Sequence, residues 1–276
     1  MMRDESDEMS EYQPPVVMTI AGFDPSGGAG ILADIKAISA MGGFGVAAIS
    51  SLTFQNTLGV FGATHQSREI IRRQIEPLLE DFQIAAVKTG MLPTAEVIEE
   101  VAAIIRNRRL APLVVDPVVR STSGFDLVDD RALAVLVEKL FRLATVVTPN
   151  AAEAERLTGI RIINLETMQQ AAAAIRAMGA RAVLVKGGDV MAETATDLLL
   201  DDEGARLFAA ERVTSSSTHG TGCTLAAAVA TLLARGHSLA GAIEQAKHYI
   251  VEAIRHAPAL GHGHGPLNHF PRRNNS

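Results

Sequence analysis

The sequence predicts an α/β protein: a three-layer sandwich in which a mostly parallel central sheet is covered by helices on both faces. Two observations predict it. Short apolar, β-branched runs alternate along the chain with longer segments of helical periodicity, and each run stops at a cluster of turn residues. Strands separated by helices of this length require right-handed crossovers, which lay the helices over both sides of one sheet.

Taken in order, Val16–Ala21 is a strand ending at Gly22. The turn-rich stretch Gly22-Phe23-Asp24-Pro25-Ser26-Gly27-Gly28-Ala29-Gly30 follows, then a helix from Ile31 to about Ala40. The pattern repeats as strand Val46–Leu52, helix Arg68–Phe82, strand Ala85–Thr89, helix Thr94–Arg109, strand Leu113–Asp116 and helix Asp129–Ala144. Strand Thr145–Thr148, helix Leu165–Met178 and strand Ala182–Lys186 continue it. Thr196–Asp201 and Arg206–Ala210 flank Asp202-Glu203-Gly204, a hairpin signal at one sheet edge. Two helices close the chain: Thr224–Ala234, nearly all Ala, Leu and Val and so buried, and the amphipathic Leu239–His256.

Of 276 residues, 47% are hydrophobic, enough for one large core. No repeat, linker or composition break divides the interior, so residues 15–276 are expected to form a single domain and residues 1–14 a disordered acidic tail. The net charge is −6, of which −4 lies in the first eleven residues (Asp4, Glu5, Asp7, Glu8 and Glu11 against Arg3), leaving −2 for the body. A nearly neutral body with few aromatics and no Lys/Arg stripe excludes a dedicated nucleic-acid binder. The single cysteine, Cys223, forbids an internal disulfide and suits a reducing compartment, so the expected location is the cytoplasm. No apolar run reaches the roughly 20 residues that span a bilayer, so no membrane association is expected.

In such sheets ligands bind beyond the carboxyl ends of the strands. The loops there are unusual: Lys88-Thr89-Gly90-Met91, Asp116-Pro117-Val118, Thr148-Pro149-Asn150 and Lys186-Gly187-Gly188-Asp189 each set a charged or amide side chain beside Gly or Pro. Any one of them alone is equally a strand terminator. The sharpest feature is Ser216-Ser217-Thr218-His219-Gly220-Thr221-Gly222-Cys223, directly before an apolar helix. Small residues at a helix start leave backbone N–H groups free for an anion of phosphate size, and the helix dipole adds to their field. The same field would lower the pKa of a thiol on the first turn. The alternative is a capped helix with a buried, inert cysteine.

Gly22–Gly30 lacks the Gly-x-x-x-x-Gly-Lys-Ser/Thr pattern of a phosphate loop and the third glycine of a dinucleotide fingerprint. That absence speaks against a nicotinamide oxidoreductase. Asp24 and Asp34 could instead bind a substrate hydroxyl or ring amine, although Asp34 could equally be a solvated helix carboxylate. Gln55 and Asn56 suit a heteroaromatic ring carrying donors and acceptors, or else cap a turn. His262, His264 and His269 lie among glycines that look like a tight closing loop rather than a metal site.

Together these motifs resemble one family. The stretch Ala21–Gly30, Gln55-Asn56-Thr57, Lys88-Thr89-Gly90-Met91-Leu92, Asp116-Pro117-Val118, Thr148-Pro149-Asn150 with Glu153, Lys186-Gly187-Gly188, His219-Gly220-Thr221-Gly222-Cys223 and Gly261-His262-Gly263 are similar to the hydroxymethylpyrimidine and phosphomethylpyrimidine kinases of thiamine synthesis, from about Val16 to Phe270. That family is ribokinase-like. The resemblance implies ATP-dependent phosphorylation of a hydroxymethylpyrimidine and then of its monophosphate, with Mg²⁺ as cofactor and a homodimeric enzyme. It implies a pyrimidine pocket at Gly22, Asp34, Gln55, Met91 and Val118, with Gln55 pairing with the ring. Asn150, Glu153, Lys186 and Thr218 fall on the nucleotide side, and Asp116 with Glu153 near the metal, acting through water. Gly220, Thr221 and Gly222 match the anion hole, and Cys223 stands where most sugar kinases of the superfamily carry the aspartate base. Phe23, Arg120 and Thr122 depart from the family pattern; Arg120 is expected to replace a lysine that contacts the phosphate of the second substrate. A pyridoxal kinase of the same cysteine-bearing branch is the alternative substrate reading, and a catalytically silent binding protein is disfavoured by Lys186, Glu153 and the anion hole.

Overall fold

The computed structural model describes residues 13–119, 127–188, 190 and 194–271. Residues 1–12 of the expected tail, and Arg120 and Thr122, lie outside the described residues.

The first strand, β1 (Val16–Phe23), leads into α1 (Gly30–Ala40), and β2 (Phe44–Asn56) turns into β3 (Gly59–His65). Then follow α2 (Arg68–Asp81), β4 (Ile84–Thr89), α3 (Ala95–Arg108), β5 (Leu113–Val115), α4 (Asp130–Leu140), β6 (Val146–Val147) and α5 (Ala151–Thr158). The chain continues through α6 (Leu165–Ala177), β7 (Val183–Val185), β8 (Thr194–Asp201), β9 (Gly204–Glu211), α7 (Thr221–Ala234) and α8 (Leu239–Arg255).

Among the described residues nine strands form one sheet in the order β3-β2-β1-β4-β5-β6-β7-β8-β9. The six central strands are parallel, while β3 at one edge and the β8–β9 hairpin at the other are antiparallel. Alternating side chains divide the core between the two faces. Val17, Ala86, Val114, Val146 and Leu184 pack under α1, α7 and α8. Met18, Ile20, Val87, Val115, Val147 and Val185 pack under α2, α3, α4 and α6.

Several elements differ from the sequence reading. The second strand continues to Asn56 instead of stopping at Leu52, and β3 pairs back on it, with Gln55 opposite Val60 and Asn56 opposite Gly59. The amides Gln55 and Asn56 are thus strand residues at the end of a hairpin, and Asn56 Oδ1 accepts the Leu58 N–H at 2.8 Å to close its turn. The other unread element is α5, hidden by Pro149. Its signal was present: Asn150 and Glu153 form a reciprocal capping box, each side chain accepting the other's backbone N–H at 2.8 Å.

Most helices are closed by a side chain at their start, but α1 and α7 are not. Helices α2 to α6 and α8 begin at Ser67, Thr94, Asp129, Asn150, Asn164 and Ser238, whose side chains each accept a first-turn N–H. Helix α7 starts three residues earlier than read, behind Gly220 and with no side-chain cap.

Candidate active site

The sheet order reverses between β2-β1 and β4, so the loops beyond the carboxyl ends of β1 and β4 diverge and leave a crevice, the usual ligand position in open parallel sheets. A cleft of about 790 Å³, solvent mouth included, opens there.

The hairpin forms one end. Alternation along β2 turns Thr53 and Gln55 into the cleft and leaves Leu52 and Phe54 exposed, with Val60 joining the lining from β3. Gly22 follows β1, and Met91 lies beyond β4. A Cβ at position 22 would stand 3.0 Å from the Met91 sulfur, so the glycine makes room for this wall.

The start of α7 forms the opposite end. Gly220 has φ +77° and its Cα lies against the loop after β1: a Cβ would fall 1.9 Å from the Gly28 carbonyl oxygen. Thr221 is held by its hydroxyl on the Thr218 carbonyl at 2.7 Å, and Thr224 N–H already returns to Gly220 O. Among the described residues the N–H groups of Gly222 and Cys223 have no acceptor, and with the uncapped dipole they leave a partial positive charge at this end.

Between the two ends lie the charges. Asp116 after β5 accepts from Lys186 Nζ at 2.8 Å and from the Thr148 hydroxyl at 3.2 Å. Glu153, in the first turn of α5, is buried beside them. Its carboxyl is pushed up to about 7: burial raises it most and Asp116 adds to that, while Lys186 and the N–H groups of Asn150 and Val119 favour the ionised form. The ammonium of Lys186 would lie 2.9 Å from a Cβ at position 222, so Gly222 lets this cation reach the α7 start.

Gly22, Gln55, Met91, Val118, Asp116, Asn150, Glu153, Lys186, Thr218, Gly220, Thr221, Gly222 and Cys223 therefore share one cleft. Asp34, expected in the pyrimidine pocket, is the one that does not line the cleft. It has no exposed surface; its carboxylate accepts from Thr19 Oγ1 at 2.6 Å and from Lys88 Nζ at 2.8 and 3.0 Å, beneath the cleft floor. Asp24 is likewise occupied. It accepts from the Ser26 N–H and hydroxyl and from the Ala29 N–H, and pairs with His219 Nε2 at 2.8 Å. Burial alone would raise its pKa, but His219 and Ser26 hold it below the usual carboxylate value. His219 thereby fastens the loop after β1 to the loop before α7. No sequence signal links Asp24 with a residue 195 positions away.

Cys223 also departs from expectation. The thiol keeps part of its surface toward the cleft, yet the dense protein around it pushes its pKa up to about 11, against the pull of Lys88 and a backbone N–H from Gly30. Desolvation is the largest cause, and the charges of Asp34 and Asp116 add to it. His262 and His264 are exposed, whereas His269 is buried against Thr224, and among the described residues no three His, Cys, Asp or Glu side chains converge as a metal site. No helix among these residues is long and apolar enough to cross a membrane.

The sequence pattern of the phosphomethylpyrimidine kinase family matches residues 24–268. The thiamine biosynthesis bifunctional protein ThiED of Geobacter sulfurreducens is 46% identical over 92% of this chain, which spans 52% of that longer protein. The hydroxymethylpyrimidine/phosphomethylpyrimidine kinase of Haemophilus influenzae is 43% identical, with 92% of this chain and 96% of that one aligned. Among solved structures, an ADP complex of Bacillus subtilis pyridoxal kinase is similar with a TM-score of 0.86 and 35% identity, covering 94% of this chain and 98% of that one. A family pattern running nearly the whole length of this fold, and a relative above 40% identity matched almost end to end, establish that the chain belongs to the phosphomethylpyrimidine kinase family.

Proposed function

We propose that the cleft works as a two-ended holder, with the pyrimidine ring against Gln55 and Met91 and the ATP phosphates across the start of α7. The observation that carries this reading is the open pair of N–H groups at Gly222 and Cys223, in one cleft with the hairpin amide and the charges of Asp116, Glu153 and Lys186. The chain is a bifunctional hydroxymethylpyrimidine and phosphomethylpyrimidine kinase, using ATP to phosphorylate the pyrimidine alcohol and then its monophosphate in thiamine synthesis.

Phosphoryl transfer depends on positioning and on neutralising charge that spreads over the transferred group. Gln55 offers both an amide donor and an acceptor to an aminopyrimidine edge. Its place on a paired strand fixes the ring, so that the hydroxymethyl oxygen points toward the α7 start. Lys186 and the α7 N–H groups take the phosphate charge. As the alcohol oxygen attacks the γ-phosphorus, the bond to the ADP oxygen breaks, and the alcohol proton passes to Cys223 or through it to solvent. With its pKa at about 11, Cys223 is mostly thiol at neutral pH and takes the alcohol proton only as it gives up its own; the charge of Lys88, which acts on both Cys223 and Asp116, eases that exchange.

Asp116 and Glu153 fit a Mg²⁺ ion, because two buried carboxylates repel each other with Lys186 as their cation, and Mg²⁺ takes one or two carboxylates together with phosphates and water. They would hold it, in part through water, and it would supply further neutralisation of the phosphates. The exposed outward face of the β2–β3 hairpin, with Leu52, Phe54 and Phe61, suits the interface of a homodimer. The lone cysteine suits the reducing cytoplasm.

Fold similarity to a pyridoxal kinase favours one second reading, activity on that related ring. A methyl-sized difference in such a pocket is worth only about 1–3 kcal/mol, so the two substrates can overlap. ATP consumption with hydroxymethylpyrimidine, its monophosphate and pyridoxal, measured in parallel for the wild type and Gln55→Ala, tests both. Turnover of the two pyrimidines that is lost in the variant supports the reading; turnover of pyridoxal alone overturns the substrate.

A further inference from the structure

The segment Gly261–Pro266 spans both ends of the cleft without lining it. At one end it grips the β2–β3 turn. His264 N–H donates to the Thr57 carbonyl at 2.8 Å and His262 N–H to Thr57 Oγ1 at 3.2 Å. Thr57 is packed so closely that a Cβ at Gly261 would lie 2.4 Å from its hydroxyl, and one at Gly263 would lie 2.1 Å from its carbonyl oxygen. Only glycine allows that approach. At the other end Gly265 N–H donates to Ser216 O, and His219 N–H to Gly265 O, both at 3.3 Å, in the loop that leads into α7.

The chain beyond is anchored in the core. Asn268 N–H donates to the Ala253 carbonyl of α8 at 3.0 Å, and buried His269 meets Thr224 of α7. Gln55 sits two residues from Thr57 on the strand that the turn closes. The hairpin is tied to the α7 start by two routes: Thr53 Oγ1 donates to the Phe23 carbonyl at 2.9 Å in the loop that Asp24 and His219 fasten to α7, and the strap holds the hairpin's turn, the part nearest Gln55.

We propose that Thr57 is a positioning residue: through the strap it fixes Gln55 at a set distance from the anion site, so that the ring and the phosphates are presented as one rigid pair. The inference rests on the placement of the pyrimidine at Gln55. Losing the hydroxyl while keeping the shape, as in Thr57→Val, frees one of the two bonds and lets the turn drift.

The test is steady-state kinetics with a melting curve for Thr57→Val, Thr57→Ser, Gly263→Ala, Gln55→Ala and the double variant of positions 55 and 57. Thr57→Val and Gly263→Ala should raise KM for the pyrimidine alcohol by about tenfold or more, with KM for ATP within about twofold of wild type, while Thr57→Ser restores the wild-type value. Added to Gln55→Ala, Thr57→Val should change KM by less than about twofold, since it acts through the same amide. If Gln55→Ala raises KM but Thr57→Val does not, the strap inference fails and the pocket reading stands. If Gln55→Ala is silent, the pocket reading fails and takes the inference with it. Equal losses for both substrates with a lowered melting point would make the strap merely structural and overturn the proposal.

Discussion

Lys88 Nζ lies 2.8 and 3.0 Å from the two carboxylate oxygens of Asp34, and neither side chain has any exposed surface. Burial alone would depress the lysine; the carboxylate holds it well above its ordinary value. Removing one partner strands the other charge without water, at a cost of about 3–5 kcal/mol. Lys88→Met and Asp34→Leu should each lower the melting temperature sharply, and the double variant should recover much of the loss. A double variant as unstable as the sum of the singles would show that the two are not coupled.

Glu153 makes stability depend on pH. Its folded pKa of about 7 lies above the ordinary 4.5, so the folded state binds the proton more tightly than the unfolded one. The stability it contributes is complete below about pH 4.5 and is lost as pH rises through 7. In the presence of a chelator, Glu153→Gln should therefore stabilise the protein at pH 8, by roughly 1–3 kcal/mol, and hardly at all at pH 5. Denaturant titrations at the two pH values measure the difference. Equal effects at both would mean that Glu153 is not protonated in the fold.

At Cys223 the prediction concerns reactivity. With its pKa at about 11, the thiol is alkylated slowly at neutral pH, and the rate of iodoacetamide modification should climb about tenfold per pH unit from 7 to 10. If the thiolate takes the alcohol proton, Cys223→Ala should lower kcat roughly 10²–10³-fold with little change in KM. A loss below tenfold would remove the cysteine from proton transfer.

His269 acts in the opposite pH direction from Glu153. Burial, with the charge of Lys36, holds its imidazole down to about 4, against an ordinary value of 6.5, while Nε2 rests 3.1 Å from the Thr224 hydroxyl. Its depressed pKa gives a contribution that is present above 6.5 and lost as pH falls toward 4. His269→Gln should flatten the acid limb of the stability profile in that window, as seen by circular dichroism melts between pH 4 and 7. An unchanged acid limb would assign that limb to other groups.

The alternation of strands and helices was legible because each run obeys one periodicity, and the small residues Gly220-Thr221-Gly222-Cys223 before an apolar run marked a helix start with no side-chain cap. What escaped reading has two physical origins. Local signals were overruled: Gln55 and Asn56 look like a loop until β3 supplies their partners, and Pro149 hid the capping box of Asn150 and Glu153. Long-range pairings leave no local mark: Asp34 beside a glycine-rich loop resembles a ligand, and only Lys88, 54 residues away, makes it a buried ion pair. The raised pKa of Cys223 has the same origin, since desolvation is a property of the packed surroundings.

Every residue of α7 from Thr224 to Leu232 is buried. The proposed anchor for the phosphates is thus the front end of a deeply enclosed rod, and it has no independent freedom to adapt. Adaptation to a longer substrate, such as the monophosphate after the alcohol, has to come from the opposite wall. Selection for a solid interior and selection for turnover then fall on the same helix, so variation that changes substrate range is expected to collect around the hairpin and its strap, while α7 stays constrained.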